Sequence, residues 1–126
     1  MPAKRGADAL QEIREFISRK AFPLMFPIEY RWVRGDDIWL SPNYHRDSVH
    51  ISVHQFRGMP FDAYFSGVQA VCLSHRGRPH WGKVHSAQGS GIIEAPSALN
   101  DFLALRERMD PHGLFLTPYL RSLLGV

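Results

Sequence analysis

This sequence has one cysteine, Cys72, so no disulfide can form within the chain, and a reducing compartment suits it. Cys72 falls in an apolar helical pattern, which favours a buried, inert thiol over a nucleophile. No apolar run approaches the ~20 residues of a membrane span. The opening Met1-Pro2-Ala3-Lys4-Arg5-Gly6 has no hydrophobic signal core. A cytoplasmic protein is the expectation. Neither a cysteine set nor an HExxH pair is present, so no metal site is expected. Gly89-Ser90-Gly91 lacks the third glycine and the long helix after a strand that a dinucleotide loop requires. Ser48 and Ser52 fall in an expected strand with no nucleophile elbow around them, which leaves a serine hydrolase unsupported. The net charge of +3 is carried by scattered residues. Without a basic stripe interleaved with aromatics, no nucleic-acid partner is expected.

What is present fits one domain. The 126 residues are 44% hydrophobic and 21% charged, with no repeat or low-complexity tract. Ala7, Leu10, Ile13 and Ile17, with Phe16 beside them, predict a helix over 7–19. Phe26, Ile28, Tyr30 and Trp32 alternate, predicting a strand over 26–33 with one aromatic face and with Glu29 and Arg31 on the other. Gly35-Asp36-Asp37 signals a turn, followed by a short extended piece, Ile38-Trp39-Leu40. A second strand over 48–56 sets Val49, Ile51 and Val53 on one face, and Ser48, His50, Ser52 and His54 on the other.

Residues 60–75 carry helical spacing behind Pro60. Pro79 to His85 reads as a third strand. Residues 86–97 read as a loop, and Ser97 or Asn100 can cap a helix over 99–109 with Leu99, Phe102, Leu103 and Met109 inward. The tail from Leu114 is apolar enough to dock on the domain or on a partner. The expected fold is α+β, an antiparallel sheet with helices packed on one face, of split-βαβ, ferredoxin-like character.

The polar faces of these strands would gather Glu29 and Arg31, then His50, Ser52 and His54, then Lys83 and His85. Such a face suits a polyhydroxylated or carbonyl-bearing ligand. Arg and Lys stabilise charge on oxygen, Glu anchors hydroxyls, and His exchanges protons near neutrality. The residues equally allow a surface ion pair contributing under ~1 kcal/mol. His50 and His54 lie four apart. On a strand that separates them by roughly 13 Å, too far to share one ion.

Arg78-Pro79-His80-Trp81-Gly82-Lys83 resembles the His-Trp-x-Lys motif of the sugar-1,4-lactone and alditol oxidases. These include gulonolactone and D-arabinono-1,4-lactone oxidases, FAD flavoproteins of the vanillyl-alcohol-oxidase type. Glu29-x-Arg31, Asp37 to Ser41, Arg46-Asp47-Ser48 and Val53-His54-Gln55 resemble the family's substrate domain. Asp101 to Arg106, Asp110-Pro111-x-Gly113-x-Phe115 and Pro118-Tyr119-Leu120 resemble its C-terminus.

The resemblance implies an oxidoreductase acting on a sugar lactone or polyol by hydride transfer to FAD, which oxygen or another acceptor then reoxidises. It casts Glu29, Arg31 and Lys83 as catalytic residues lining the pocket, with Ser52, His54, His50 and His85 on the substrate side. His80 and Trp81 are supporting motif residues. It also implies that residues 1–126 are the C-terminal substrate-binding (cap) part, that an FAD-binding domain or chain is a partner, and that this chain lacks that domain. A homodimer and a peripheral membrane association stay open. The alternative is a non-catalytic remnant or assembly module that self-associates or binds a flavin-domain partner.

Overall fold

The computed structural model describes residues 1–86 and 96–126, with the side chains of 96 and 97 outside the description. Helix α1 spans Gly6–Lys20, strand β1 Glu29–Val33, strand β2 Ser48–Ser52, helix α2 Asp62–Ser74, helix α3 Pro96–Met109 and helix α4 Pro118–Leu124. The α+β expectation is borne out. The strands pair antiparallel, with Glu29 opposite Ser52, Arg31 opposite His50 and Trp32 opposite Val49.

α1 presents Ala9, Ile13 and Ile17 as its buried stripe, each at most 5% exposed. Ala7, expected inward, faces solvent. Gly6 sets this phase, because it abuts Val49 and the Tyr30 hydroxyl so closely that a Cβ would lie 2.9 Å from a Val49 methyl. Asp8 in the first turn and Arg19 and Lys20 in the last complement the helix dipole.

The main core joins Ile13 and Ile17 to Tyr64 and Val68 of α2, with Phe16, Phe22, Ile28, Ile51 and Val53 against them. A second cluster holds Met1, Ala9 and Val49. The chain start acts as a strand stub: Val49 donates to the Met1 carbonyl at 2.9 Å and Ala3 to the Asp47 carbonyl at 3.0 Å. Met1 to Ala3 therefore takes the edge of β2 that β1 leaves open.

The aromatic face expected of β1 is only partly covered. Ile28 reaches the core, but Phe26 is 40%, Tyr30 39% and Trp32 69% exposed. β1 is the outer strand, and α1 packs on β2, so the aromatics overhang the helix.

Three further expectations are corrected. Residues 79–85 form a turn and extended coil, not a third strand. Lys83 donates to the His80 carbonyl at 2.9 Å, and this tight reversal prevents the segment from pairing. Ile38 to Leu40 likewise belongs to a turn, closed by Ser41 donating to the Ile38 carbonyl. Met109, expected inward, is 77% exposed. The loop expected over 86–97 lies mostly outside the described residues, and α3 already begins at Pro96, upstream of both proposed caps. The apolar tail does dock, through α4: Thr117 caps it by accepting from Leu120, and Leu123 and Leu124 are buried.

α2 ends on Arg76 in the left-handed region, with Gly77 donating to the Cys72 carbonyl at 2.6 Å. A Cβ on Gly77 would lie 2.5 Å from that carbonyl oxygen, a backbone atom that cannot swing aside. Gly77→Ala is expected to cost about 1–3 kcal/mol, as overpacking does, read as a lower midpoint in urea unfolding.

Candidate functional site

The register alone assembles most of the polar face. Odd-numbered residues of β1 and even-numbered residues of β2 share one side, so Glu29, Arg31, His50 and Ser52 are neighbours. Arg31 and Glu29 form an ion pair at 3.0 Å, with side chains 66% and 49% exposed. His54, two residues past Ser52, brings Nε2 to 3.9 Å from Glu29. Phe26 braces the His54 ring edge-on, with centroids 6.3 Å apart. Glu29 thus sits between the Arg31 guanidinium and the His54 imidazole, and all three reach solvent.

His50 is the anchored member. Its Nε2–H donates to Asn43 Oδ1 at 2.8 Å, and Asn43 is 7% exposed. Burial lowers the His50 pKa, and the chain-terminal amine, Arg31 and His80 lower it further. The ring therefore stays neutral at pH 7 and acts as a hydrogen-bonding group. His80 is close enough to be felt there. The turn places it so, while its Nδ1 accepts from the Gly82 N–H at 3.0 Å.

The other motif residues go elsewhere. Lys83 is exposed, and among the described residues its side chain makes no bond to the strand face. His85 Nε2 lies 2.8 Å from the Tyr119 hydroxyl of α4. That hydroxyl also donates to the Trp81 carbonyl. Trp81 lines an apolar cleft of about 340 Å³ with Leu40 and residues of α3 and α4. The structure thus brings together Glu29, Arg31, His50, Ser52 and His54, with His80 near them. It does not join Lys83 or His85 to that set. Asn43 and Tyr119 were missed from the sequence. Asn43 gave no signal beyond a polar loop, and Tyr119 looked like tail packing.

Among the described residues no group of three His, Cys, Asp or Glu side chains could hold a metal ion. No described helix is long and apolar enough to cross a membrane. Burial pushes the Cys72 thiol up, away from reactivity.

The chain-terminal amine is itself buried. It donates to the Val49 carbonyl at 3.0 Å, and its pKa is lowered from 8.0 to about 6, first by burial and then by Arg46. A base whose folded pKa is depressed makes the native state bind fewer protons than the unfolded one. Above pH 8 both forms of the amine are neutral and nothing is lost. Between pH 8 and 6 the unfolded chain gains a proton first, so stability falls as pH falls, and the loss levels off below about pH 6. The lowered His50 pKa adds in the same direction. Thermal melts of the 126-residue chain should show a higher midpoint at pH 8 than at pH 6.

The family described as D-arabinono-1,4-lactone oxidase matches residues 1–123. The chain is 41% identical over 125 residues to an L-gulono-1,4-lactone dehydrogenase of Mycobacterium tuberculosis, covering 99% of this chain and 29% of that protein. It is 32% identical over 129 residues to the L-gulonolactone oxidase of Mus musculus, covering 97% of this chain and 29% of that protein. It is 32% identical over 120 residues to an alditol oxidase of a Streptomyces species, covering 93% and 28%. The chain spans under a third of the length of these relatives. With nearly its whole length matched, this chain belongs to the D-arabinono-1,4-lactone oxidase family of oxidoreductases.

Proposed function

We propose that this chain is the substrate-binding part of an FAD-dependent oxidoreductase acting on an aldonolactone or alditol, and that it works with an FAD-binding domain or chain in the cytoplasm. The observation that carries the reading is the exposed Glu29–Arg31 pair, 3.0 Å apart, with His54, Ser52 and His50 around it on one strand face. The relatives' names specify sugar lactones and alditols, which that face suits.

FAD is the group that the family resemblance brings, and when bound it supplies the hydride acceptor. The residues here fit its substrate side. Arg31 is a fixed cation able to face developing oxygen charge, and Glu29 a carboxylate able to accept from substrate hydroxyls. The Ser52 hydroxyl adds a donor, and neutral His50, whose Nε2–H is taken by Asn43, adds an acceptor at Nδ1. Lys83 would join them only if a partner surface moved the 80–83 turn. In this reading the chain's part is to bind and orient substrate.

The test is a chimera in which these 126 residues replace the matched segment of the Mycobacterium tuberculosis enzyme. Oxidation of L-gulono-1,4-lactone by the chimera, lost on Arg31→Ala, would support the reading. A chimera that binds FAD and has no activity on lactones or alditols would sink it.

A second reading rests on a different observation. Met109, Leu114 and Phe115, beside the apolar cleft, are 77%, 81% and 80% exposed. That surface favours an assembly module that pairs with itself or with a flavin-domain partner. Size-exclusion chromatography with light scattering separates the cases, and a monomer at all concentrations counts against self-association.

A further inference from the structure

On the side of β1 opposite Glu29 and Arg31, Trp32 stands 69% exposed. Its indole forms one wall of an open groove of about 850 Å³. Pro2, Ala3 and Lys4 line the groove as well, together with the loop residues 35–37 and 45–47. The volume lies in the range of small-molecule sites.

The loop is built rigidly. Gly35 donates to Asp47 Oδ1 at 2.7 Å. The Asp36 carboxylate accepts from the Ile38 N–H and, at 2.6 Å, from the Ser41 hydroxyl. His45 donates to the Asp36 carbonyl at 2.8 Å and is held at φ 51°, in the left-handed region that a residue with a side chain rarely adopts. These bonds fix the walls before any ligand arrives.

Two polar side chains remain available. Asp37 and Lys4 are exposed, and among the described residues neither side chain makes a hydrogen bond or ion pair. The ionic lining is mixed: Asp36, Asp37 and Asp47 stand against Lys4 and Arg46. Such a balance does not select a phosphate or a polyamine. A flat, exposed indole with separate donors and acceptors beside it matches a ring that has C–H bonds on one face and hydroxyls on its rim.

We propose that the Trp32 groove is a second carbohydrate-binding site, distinct from the Glu29–Arg31 face, which stacks the ring of a neutral sugar on Trp32 and meets its hydroxyls with Asp37 and Lys4. Side chains alternate along β1, so one sugar ring cannot touch Trp32 and Arg31 together. The proposal therefore stands independently of the function proposed above.

The test uses the 126-residue chain, labelled with nitrogen-15 and titrated with methyl β-D-glucopyranoside. Saturable shifts are expected at the Trp32 indole N–H and at the Gly35 and Asp37 amides. Trp32→Ala should weaken binding by about tenfold or more, read at the Gly35 amide, and Asp37→Asn by several-fold. Arg31→Ala should leave it unchanged. Both groove side chains are exposed, so the variants' spectra should otherwise superpose on the parent's. No saturable shift in the loop, equal affinity in Trp32→Ala, or shifts confined to the amides around Arg31 and His50 would overturn the proposal. So would concentration-dependent broadening of the Trp32 signals without sugar, which would mean that a second copy of the chain covers the groove.

Discussion

Arg31→Ala in the lactone-oxidising chimera is expected to lower kcat by about 10²–10³-fold, the usual effect of removing one charge-stabilising donor. Its effect on folding should be small. The side chain is 66% exposed and paired, among the described residues, with an exposed Glu29, and such surface pairs contribute under ~1 kcal/mol. The measurement that matters is the contrast, turnover against melting temperature in the same variant. If kcat holds and KM alone rises, Arg31 is a uniform binder with no special hold on the transition state. If neither changes, the Glu29–Arg31 pair is surface decoration and the proposed function loses its main support. Lys83→Met is the sharper companion. The turn keeps Lys83 off the strand face, so a loss comparable to that of Arg31→Ala would show that the 80–83 segment moves when substrate and flavin are present.

Tyr64→Ala should have the largest effect on stability. Tyr64 is 2% exposed and stands where α1, α2 and the aromatic cluster meet, with ring centroids 5.4 Å from Phe22 and 5.6 Å from Phe65. Removing a large buried ring costs about 3–5 kcal/mol, part lost transfer energy and part cavity. Against a total stability of about 5–15 kcal/mol for a domain, this is a drop on the order of 10–20 °C in the melting temperature. Tyr64→Phe keeps the ring and separates the contributions, and should cost under about 1.5 kcal/mol. Equal losses in the two variants would mean that the hydroxyl, and not the packing, holds this junction.

These two residues differ in how well the sequence announced them. Tyr64 sat in a helical apolar pattern, and burial followed. Ile13, Ile17, Val49 and Ile51 were legible for the same reason, since periodicity reports a buried face directly. Trp32 shared the strand alternation of Ile28 yet lies open. Alternation says which side a residue takes, and only the helix placement says how far cover extends. The site was legible in the same uneven way. Glu29, Arg31, His50, Ser52 and His54 converge because strand period and register are local rules. Lys83 and His85 were assigned to the face through a strand that never forms, since the tight turn at His80 to Lys83 outweighs the alternating pattern. Tyr119, quoted only as part of the C-terminal motif, holds Trp81 and His85 by contacts 38 and 34 residues away in sequence. No single-sequence period encodes such a pairing.

The strand stub at Met1 to Ala3 has a consequence for the order of folding. Its amine meets a carbonyl 48 residues away, whereas β1 and β2 are joined by the shorter connection of residues 34–47. Closing a long loop costs entropy before any contact rewards it, so the local β1–β2 pair can form well ahead of the stub. The chain start then arrives last at an edge already built, and the small Met1–Ala9–Val49 cluster is completed only in that final step. The segment Met1 to Ala3 is in kinetic terms a closing clasp, and the last part of the described sheet to gain protection from solvent.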